Sequence, residues 1–396
     1  MSASQPIQQR SLRQHNLAVV ARTVVDAAAP LSRAGVAAAT GLTRGTVSAL
    51  VDRLLAAGIL IELPPARQVR AGRPAVPLAP ARRTIVGLGL EVNVDYLGAR
   101  IVDLTGDTVD ETVVPGDFHG SDPGATLARL GELARDLVDR AATAGLRVAG
   151  ARLALPGLVE TQSSRLRIAP NLGWSDLEPR RLIGLPDAVP VTVANEAKLA
   201  ALAQVWGTPG AERTARTFLY VSGDVGVGAA IVVDDQLFAG RHGWSGEIGH
   251  VVVDPSGPRC RCGATGCLER YAGKEALVAA VGLGVDAPDV VVAERLGAAD
   301  PAAAAVVRRT GTALGRAIAN AVNLIDVDTV LLGGVYAAIA PLLQPGIGEE
   351  LAVRVLGAPW APVTVRAAPV ADRAALTGGA LAVLRGVVDD PTPWLS

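Results

Sequence analysis

Cys260-Arg261-Cys262-Gly263-Ala264-Thr265-Gly266-Cys267-Leu268-Glu269 holds every cysteine of the chain. An odd number of thiols crowded into one short loop makes a poor disulfide framework, which leaves free thiols or a metal. Cysteines two and seven positions after the first, with glycines relaxing the turn between them, can converge on one ion. Zn²⁺ takes four such ligands in a tetrahedron. The fourth must come from elsewhere in the chain. His250 is the first candidate, because residues 251–253 read as a strand leading into the cysteine loop, and His242 is the second. Four protein ligands close the coordination sphere, so the pattern points to a structural metal rather than a hydrolytic one.

On both sides of this loop the texture is α/β. Stretches 85–90, 96–104 and 108–114 read as strands joined by short turns, followed by a helix over 125–144 and a buried strand at 152–155. A second series begins with strands at 218–222, 228–233 and 249–253 and continues with Ala-rich helices over 302–323 and 336–355 around a strand at 329–332. Two such halves imply two α/β lobes with a cleft between them. The length of 396 residues allows two to four domains at roughly 100–200 residues each. Half of the residues are hydrophobic and 19% are charged, an ordinary globular balance. No apolar run is long enough to span a membrane, and MSASQPIQQR has no apolar leader core, so the cytoplasm is the expected compartment.

Charge separates the first fifth of the chain from the rest. Residues 1–83 carry 11 Arg, no Lys and 3 acids, a balance of +8, whereas the whole chain carries −1. A strongly cationic segment on a near-neutral protein suggests a module that meets a polyanion. Within it, 14–28 reads as a helix with Leu17, Val20, Val24 and Val25 on one face. Ser32 can cap a short helix ending at Thr40, Gly41 makes the turn, and Thr43 can cap a further helix through Ala56. In that last helix Val47, Leu50, Val51 and Leu54 share the apolar face. Arg44, Thr46 and Ser48 are left to face base edges in a DNA major groove, and Arg53 to face phosphate. An apolar strand at 59–63, a basic tip with Arg67, Arg70 and Arg73, and a return at 75–78 complete a wing. Arg70 and Arg73 suit a narrow minor groove. The competing readings are a small structural bundle for the helices and an Arg-rich linker for the tip.

The motifs together resemble the ROK family, which contains bacterial sugar kinases and sugar-responsive repressors. The resemblance rests on Gly246-Glu247-Ile248-Gly249-His250 with the cysteine loop through Glu269, on Leu155-Pro156-Gly157, Ala169-Pro170-Asn171, Asn195-Glu196, Gly223 to Gly228 and Leu332-Gly333-Gly334. It runs over nearly all of 84–386. It implies an α/β architecture in which an N-terminal winged helix-turn-helix (1–81) precedes a two-lobed, actin-like and ribonuclease-H-like sugar-kinase-type domain. The first lobe would take 82–194 and 375–396, the second 195–374 with the zinc motif. It further implies structural Zn²⁺ on His250, Cys260, Cys262 and Cys267, and a homodimer or homotetramer. Sugar hydroxyls would be held by Gly157, Asn195, Glu196, Glu247, His250 and Glu269, with Asn171 shaping the loop. Carboxylates and amides suit that task, because a wrong ligand would leave buried polar groups unpaired. Without the motif, each carboxylate would read equally well as a surface ion-pair partner.

Kinases of the family need a glycine-rich phosphate turn of the form Asp-x-Gly-Gly-Thr-Lys after the first strand, because backbone N–H groups must approach phosphate closely. Here the corresponding stretch is Gly89-Leu90-Glu91-Val92-Asn93-Val94-Asp95, without paired glycines and with two acids that repel phosphate. Asp224 stands where a kinase usually carries Thr, and Glu196 replaces the usual Asp base. The expectation is therefore a non-enzymatic, sugar-responsive repressor that binds double-stranded operator DNA. The alternative is an ATP-dependent sugar kinase carrying a DNA-binding domain.

Overall fold

The computed structural model describes residues 9–64, 76–206, 215–224, 226–284 and 287–395. Helix α1 (Gln9–Val25) starts earlier and ends earlier than the expected 14–28, since Ala27 to Pro30 leaves the helix. The turn chemistry of the next two helices is as read. Ser32 Oγ accepts from Gly35 N at 3.1 Å to begin α2 (Arg33–Thr40), and Gly41 ends it at φ +73°. Thr43 Oγ1 accepts from Thr46 N at 3.2 Å to begin α3 (Arg44–Ala56). Strands β1 (Leu60–Glu62) and β2 (Pro77–Pro80) pair antiparallel, and Leu31–Ser32 adds a third strand to β2. The wing tip with Arg67, Arg70 and Arg73 lies outside the described residues.

The body contains two five-stranded sheets of the same topology. In the first, β3 (Ile85–Val92), β4 (Tyr96–Asp103) and β5 (Thr108–Pro115) form an antiparallel meander. Strands β6 (Arg147–Leu155) and β7 (Val191–Asn195) then add in parallel beside β3. Helix α4 (Pro123–Thr143), capped by Asp122, makes the crossover. In the second, β8 (Phe218–Gly223) and β9 (Val227–Val233) pair antiparallel, with the short strand Gln236–Leu237 beyond. Strands β10 (Thr329–Gly334) and β11 (Thr364–Ala367) follow in parallel beside β8. Meander followed by parallel strands, twice, is the actin-like architecture.

Three readings differ. Residues 249–253 do not form a strand: Ile248–His250 is a single 3-10 turn, followed by an isolated bridge between Val252 and Cys267. The expected helix over 336–355 is broken into Val335–Ala338 and Ala340–Arg354. A small antiparallel sheet of Leu158–Val159, Leu166–Ala169 and Trp174–Leu177 had no sequence signal strong enough to be read.

Helix α5 (Glu196–Trp206) begins directly at the end of β7. It packs along α8 (Ala374–Asp389), counted after α6 (Pro301–Ile325) and α7 (Ala340–Arg354). Helix α8 lies directly on β3, because Gly87 and Gly89 carry no side chain where the carbonyl oxygens of Ala380 and Leu376 pass. Gly378 of α8 gives the same freedom against the carbonyl of Leu199 on α5. The far end of α8 enters the core of the N-terminal head, where Leu384, Val387 and Val388 are buried with Leu17, Val20 and Val24. Burial of each such side chain is worth about 1.5–3 kcal/mol. The flanking ion pairs Arg22–Asp389 at 2.6 Å and Arg385–Asp26 at 2.7 Å are half-exposed and add less. Head and body thus share one apolar cluster rather than being strung on a free linker.

The helix-on-strand contact is directly testable. Gly89→Ala should lower stability by about 1–3 kcal/mol through overpacking. Gly45→Ala, on an exposed face of α3 with open space around it, should be neutral or slightly stabilising. Urea denaturation of both variants checks this, and equal midpoints would contradict the close approach.

Candidate functional site

The carboxyl ends of the parallel strands β6 and β7 open onto a crevice, which is where open α/β sheets place their ligands. One pocket there is walled by Gly157, Asn195, Glu196, Glu247, His250 and Glu269 together, all six of the residues expected to hold hydroxyls. Gly157 follows β6 at φ +89°, and any Cβ there would overlap the carbonyl of Ile168. Asn195 Nδ2 donates to Gly157 O at 3.0 Å, while its Oδ1 accepts from Lys198 N at 3.2 Å in the first turn of α5. The amide is held from both ends and faces the pocket in one orientation. Glu196 is the first residue of α5, so its carboxylate sits at a favourable helix end. Glu269 Oε2 accepts from Val227 N at 3.4 Å.

Burial pushes the Glu247 carboxyl up, with the charge of Glu269 adding to the shift and His250 and Lys198 opposing it. Lys198 was not singled out from the sequence. Its side chain is buried, its ammonium donates to the carbonyl of Gly243, and burial lowers its pKa. A signal was present: the chain has only Lys198 and Lys274, and both are buried. Asn171 also reaches the pocket wall, where Arg261 Nη1 lies 3.5 Å from its Oδ1 and 3.0 Å from Glu275.

Beside the pocket, His250, Cys260, Cys262 and Cys267 bring one donor atom each to within 4.8 Å of one another. Cys262 and Cys267 sulfurs are 3.7 Å apart, and His250 Nδ1 is 4.0 Å from Cys260 Sγ. A tetrahedral ion with ligands at roughly 2.0–2.3 Å needs edges of about 3.5–3.8 Å. The donor set therefore fits a metal ion. Burial, then the neighbouring thiols, push Cys267 up to about 12, so a cation is the natural partner that would let these thiols ionise together. His250 lines the pocket as well as the cluster. His242, the second candidate ligand, is instead stacked on Trp244 with ring centroids 4.9 Å apart.

The ROK family model matches residues 88–385, about three quarters of the sequence. The chain belongs to the ROK family. A relative named a xylose repressor, from Caldicellulosiruptor bescii, is 26% identical over 96% of this chain and 98% of its own length. The crystal structure of a ROK family transcriptional regulator, a homologue of the Escherichia coli Mlc protein, superposes with a TM-score of 0.76 at 26% identity, covering 96% of this chain and 97% of that one. A ROK hexokinase from Thermus thermophilus gives a TM-score of 0.60 at 28% identity, with 99% of that chain covering only 77% of this one.

Against that family background, the side of the cleft where the kinase pattern requires a phosphate turn is closed differently. Strand β3 runs on to Val92, and residues 93–95 make a tight turn in which Asp95 N donates to Asn93 Oδ1 at 3.1 Å. No glycine cradle is present there. Glu91 is 3% exposed, and Asp224 accepts from Ser222 Oγ at 2.8 Å. Burial, without a bonded cation, raises Glu91 to about 7. Burial likewise raises Asp224, and it raises Glu196 further with the help of Asp224 and Glu91.

On the head, Arg44 is exposed at the start of α3, while Thr46 and Ser48 are half-buried. The Thr46 hydroxyl lies 2.9 Å from that of Thr43 and so takes part in the cap. Gly45, Ala49 and Asp52 form the most exposed stripe of the helix, and Asp52 is tied to Arg33 at 2.7 Å. Arg53 lines a crevice with Arg13, Gln14, Leu17 and Thr392, on the flank of α3 that faces α1 and the C-terminal tail. The recognition surface is thus flatter at its centre than the sequence reading had it.

The Glu91 carboxyl generates a pH prediction. A glutamate in the unfolded chain ionises near ~4.3, whereas in the folded protein it holds its proton to about 7. Between those values the folded state binds the extra proton, so stability falls as pH rises through the window and levels off above it. Glu91→Gln removes this dependence. Urea midpoints from pH 4.5 to 8 should show wild type losing stability relative to the variant as pH rises; parallel curves would contradict the assignment.

Proposed function

We propose that this ROK protein is a sugar-responsive transcriptional repressor that binds duplex operator DNA through its N-terminal winged helix-turn-helix. The observation that carries the reading is α8: one end walls the cleft region through Ala374 and Ala375, and the other is built into the core of the head. The near-complete overlap with a relative named a xylose repressor supports it, as does the fact that the hexokinase, matched over 99% of its own length, covers only 77% of this chain. The acidic, glycine-poor turn at 91–95 argues against ATP, so the protein acts by binding and not by phosphoryl transfer. On this reading the units are 1–81 for the head, 82–194 with 375–396 for the first lobe, and 195–374 for the second.

The effector pocket consists of Gly157, Asn195, Glu196, Glu247, His250 and Glu269, and it takes a carbohydrate. Its free space is about 60 Å³, room for roughly two water molecules. A sugar ring held between Gly157 and Asn195 on one wall and Glu247, His250 and Glu269 on the other links occupancy to lobe movement. Such a ligand shifts the DNA-binding state only through unequal affinity for two arrangements. Zn²⁺ on His250, Cys260, Cys262 and Cys267 holds the loop that presents His250 and Glu269, leaving the second ring nitrogen of His250 for a ligand hydroxyl. Arg44, Thr46 and Ser48 address the major groove, Arg53 a phosphate, and Arg70 and Arg73 the minor groove. The working unit is a homodimer or homotetramer, so that two heads meet a two-fold operator, and the compartment is the cytoplasm.

Fluorescence anisotropy with duplex fragments from the promoter region beside its gene should show binding at low salt that a sugar from a pentose and hexose panel weakens. Arg44→Ala should cost about 1–3 kcal/mol of DNA affinity and relax sequence preference. A coupled ATP-consumption assay over the same sugars should show no turnover. Loss of DNA binding by the intact protein, or measurable turnover, would overturn the reading.

Metal content gives a separate check. Protein purified from zinc-supplemented cells should release one Zn²⁺ per chain to a chromogenic chelator after thiol modification. Cys267→Ser should carry less and melt at lower temperature, because a ligand held only by the native state stabilises it. Unchanged zinc content in the variant would remove Cys267 from the ligand set.

A further inference from the structure

A second cavity, of about 570 Å³, adjoins the effector pocket and shares Glu196 with it as a wall. It occupies the side of the cleft where the phosphate turn has been lost. Six acidic side chains line it against two basic ones, Lys274 and Arg373. Both cations are already engaged. Lys274 Nζ lies 3.1 Å from Asp289 and 3.9 Å from Asp95, and Arg373 pairs with Glu111 and Asp372 at 3.3 and 3.2 Å. The nearby buried guanidinium of Arg100 is held by Glu111, Asp372 and Thr377.

Three carboxylates remain, Glu91, Glu196 and Asp224, and none has a cation within ion-pair distance among the described residues. Glu91 is the telling one. It is 97% buried, it faces the cavity, and its Oε2 has no hydrogen-bond partner among the described residues. Tyr96 and Asn93 beside it favour the ionised carboxylate but do not offset its burial. A buried acceptor left open costs about 1–3 kcal/mol unless something donates to it. The three acids do not converge closely enough to form a ready metal cage: among the described residues the only grouping of that kind is the His–Cys cluster. Acceptors spread around a roomy cavity suit instead a flexible molecule with several N–H⁺ donors.

We propose that this cavity binds a small organic polycation, an aliphatic di- or polyamine, with a primary ammonium group donating to Glu91 Oε2 and the chain reaching Asp224 and Glu196. The geometry accounts for why these like charges are tolerated with no cation bonded to them among the described residues: the neutralising charge arrives with the ligand. Burial, joined at Glu91 and Glu196 by repulsion from Asp224, favours the protonated forms in the free protein, so binding of the cation releases protons. The cavity floor includes Ala374 and Ala375 at the start of α8. The proposal goes beyond the repressor reading and does not depend on it.

The test uses the full-length protein and 1,4-diaminobutane. Thermal shift should show a saturable rise in melting temperature that KCl at equal ionic strength and MgCl₂ do not reproduce. Calorimetry in two buffers of different ionisation enthalpy should show proton release on binding. Glu91→Gln and, separately, Asp224→Asn should each weaken the diamine by at least about tenfold, since each removes one charge of a buried pair. Glu91→Gln is isosteric and relieves repulsion, so its free form should melt no lower than wild type and the loss cannot be blamed on misfolding. No response in wild type, a response matched by KCl, or wild-type affinity in either variant would overturn the proposal. A response to MgCl₂ alone would replace it with a metal site. Promoter-fragment binding measured on the same preparation separates failure here from failure of the repressor reading.

Discussion

Two missing side chains set the geometry of this molecule. Because Gly87 and Gly89 present bare backbone, α8 rests on β3 with its carbonyls where Cβ atoms would otherwise be. Any larger residue on that face would lift the helix, and with it both things the helix carries. Close packing makes such a contact rigid on the time average, so a displacement at one end of α8 is not absorbed locally. The contact therefore fixes the relation between the cleft and the head more firmly than the two half-exposed ion pairs at the head could.

The consequence is mechanical continuity across otherwise separate hydrophobic clusters. Leu384, Val387 and Val388 belong to the head cluster, while Ala374 and Ala375 belong to the cluster formed with α5 and the second sheet. Helix α5 opens with Glu196, which walls both cavities of the cleft. A change in what Glu196 faces thus acts on a helix packed along α8, and α8 acts on the head. That is spatial continuity; coupling additionally requires two arrangements of the packed elements with different ligand affinities.

Much of this was legible in the sequence because the strongest signals are local. A capping hydroxyl, a left-handed glycine and a valine-leucine stripe are decided within one turn of chain, and Ser32, Gly41 and Thr43 act as their types dictate. The cleft residues were legible only as a motif: Gly157, Asn195 and Glu247 come from three separate segments, and nothing in their spacing shows that they meet. What escaped was context-dependent. Residues 251–253 are apolar and β-branched, yet the bridge between Val252 and Cys267 draws them into the cysteine loop and no ladder forms. The broken helix after Gly334 and the small sheet at 158–177 were hidden for the same reason, since tertiary contacts decide short segments whose propensity is weak. Arg53 shows the converse limit: helical periodicity removed it from the apolar face but could not say that the neighbouring flank is occupied by α1.

The acids at 91–95 and 224 stand where the kinase pattern has its phosphate-binding residues. A turn that merely lost nucleotide binding would be most stable with apolar or amide side chains there, because an uncompensated buried carboxylate is among the costlier groups a fold can hold. Here Glu91 is such a group, and Asp224, on the wall of the same cavity, raises the proton affinity of both Glu91 and Glu196. Local instability of this kind concentrates at sites where a ligand supplies the missing partner. The same residues that replace the kinase pattern's glycine-rich turn thus make this wall of the cleft acidic, and they do so on the wall that α5 and α8 share.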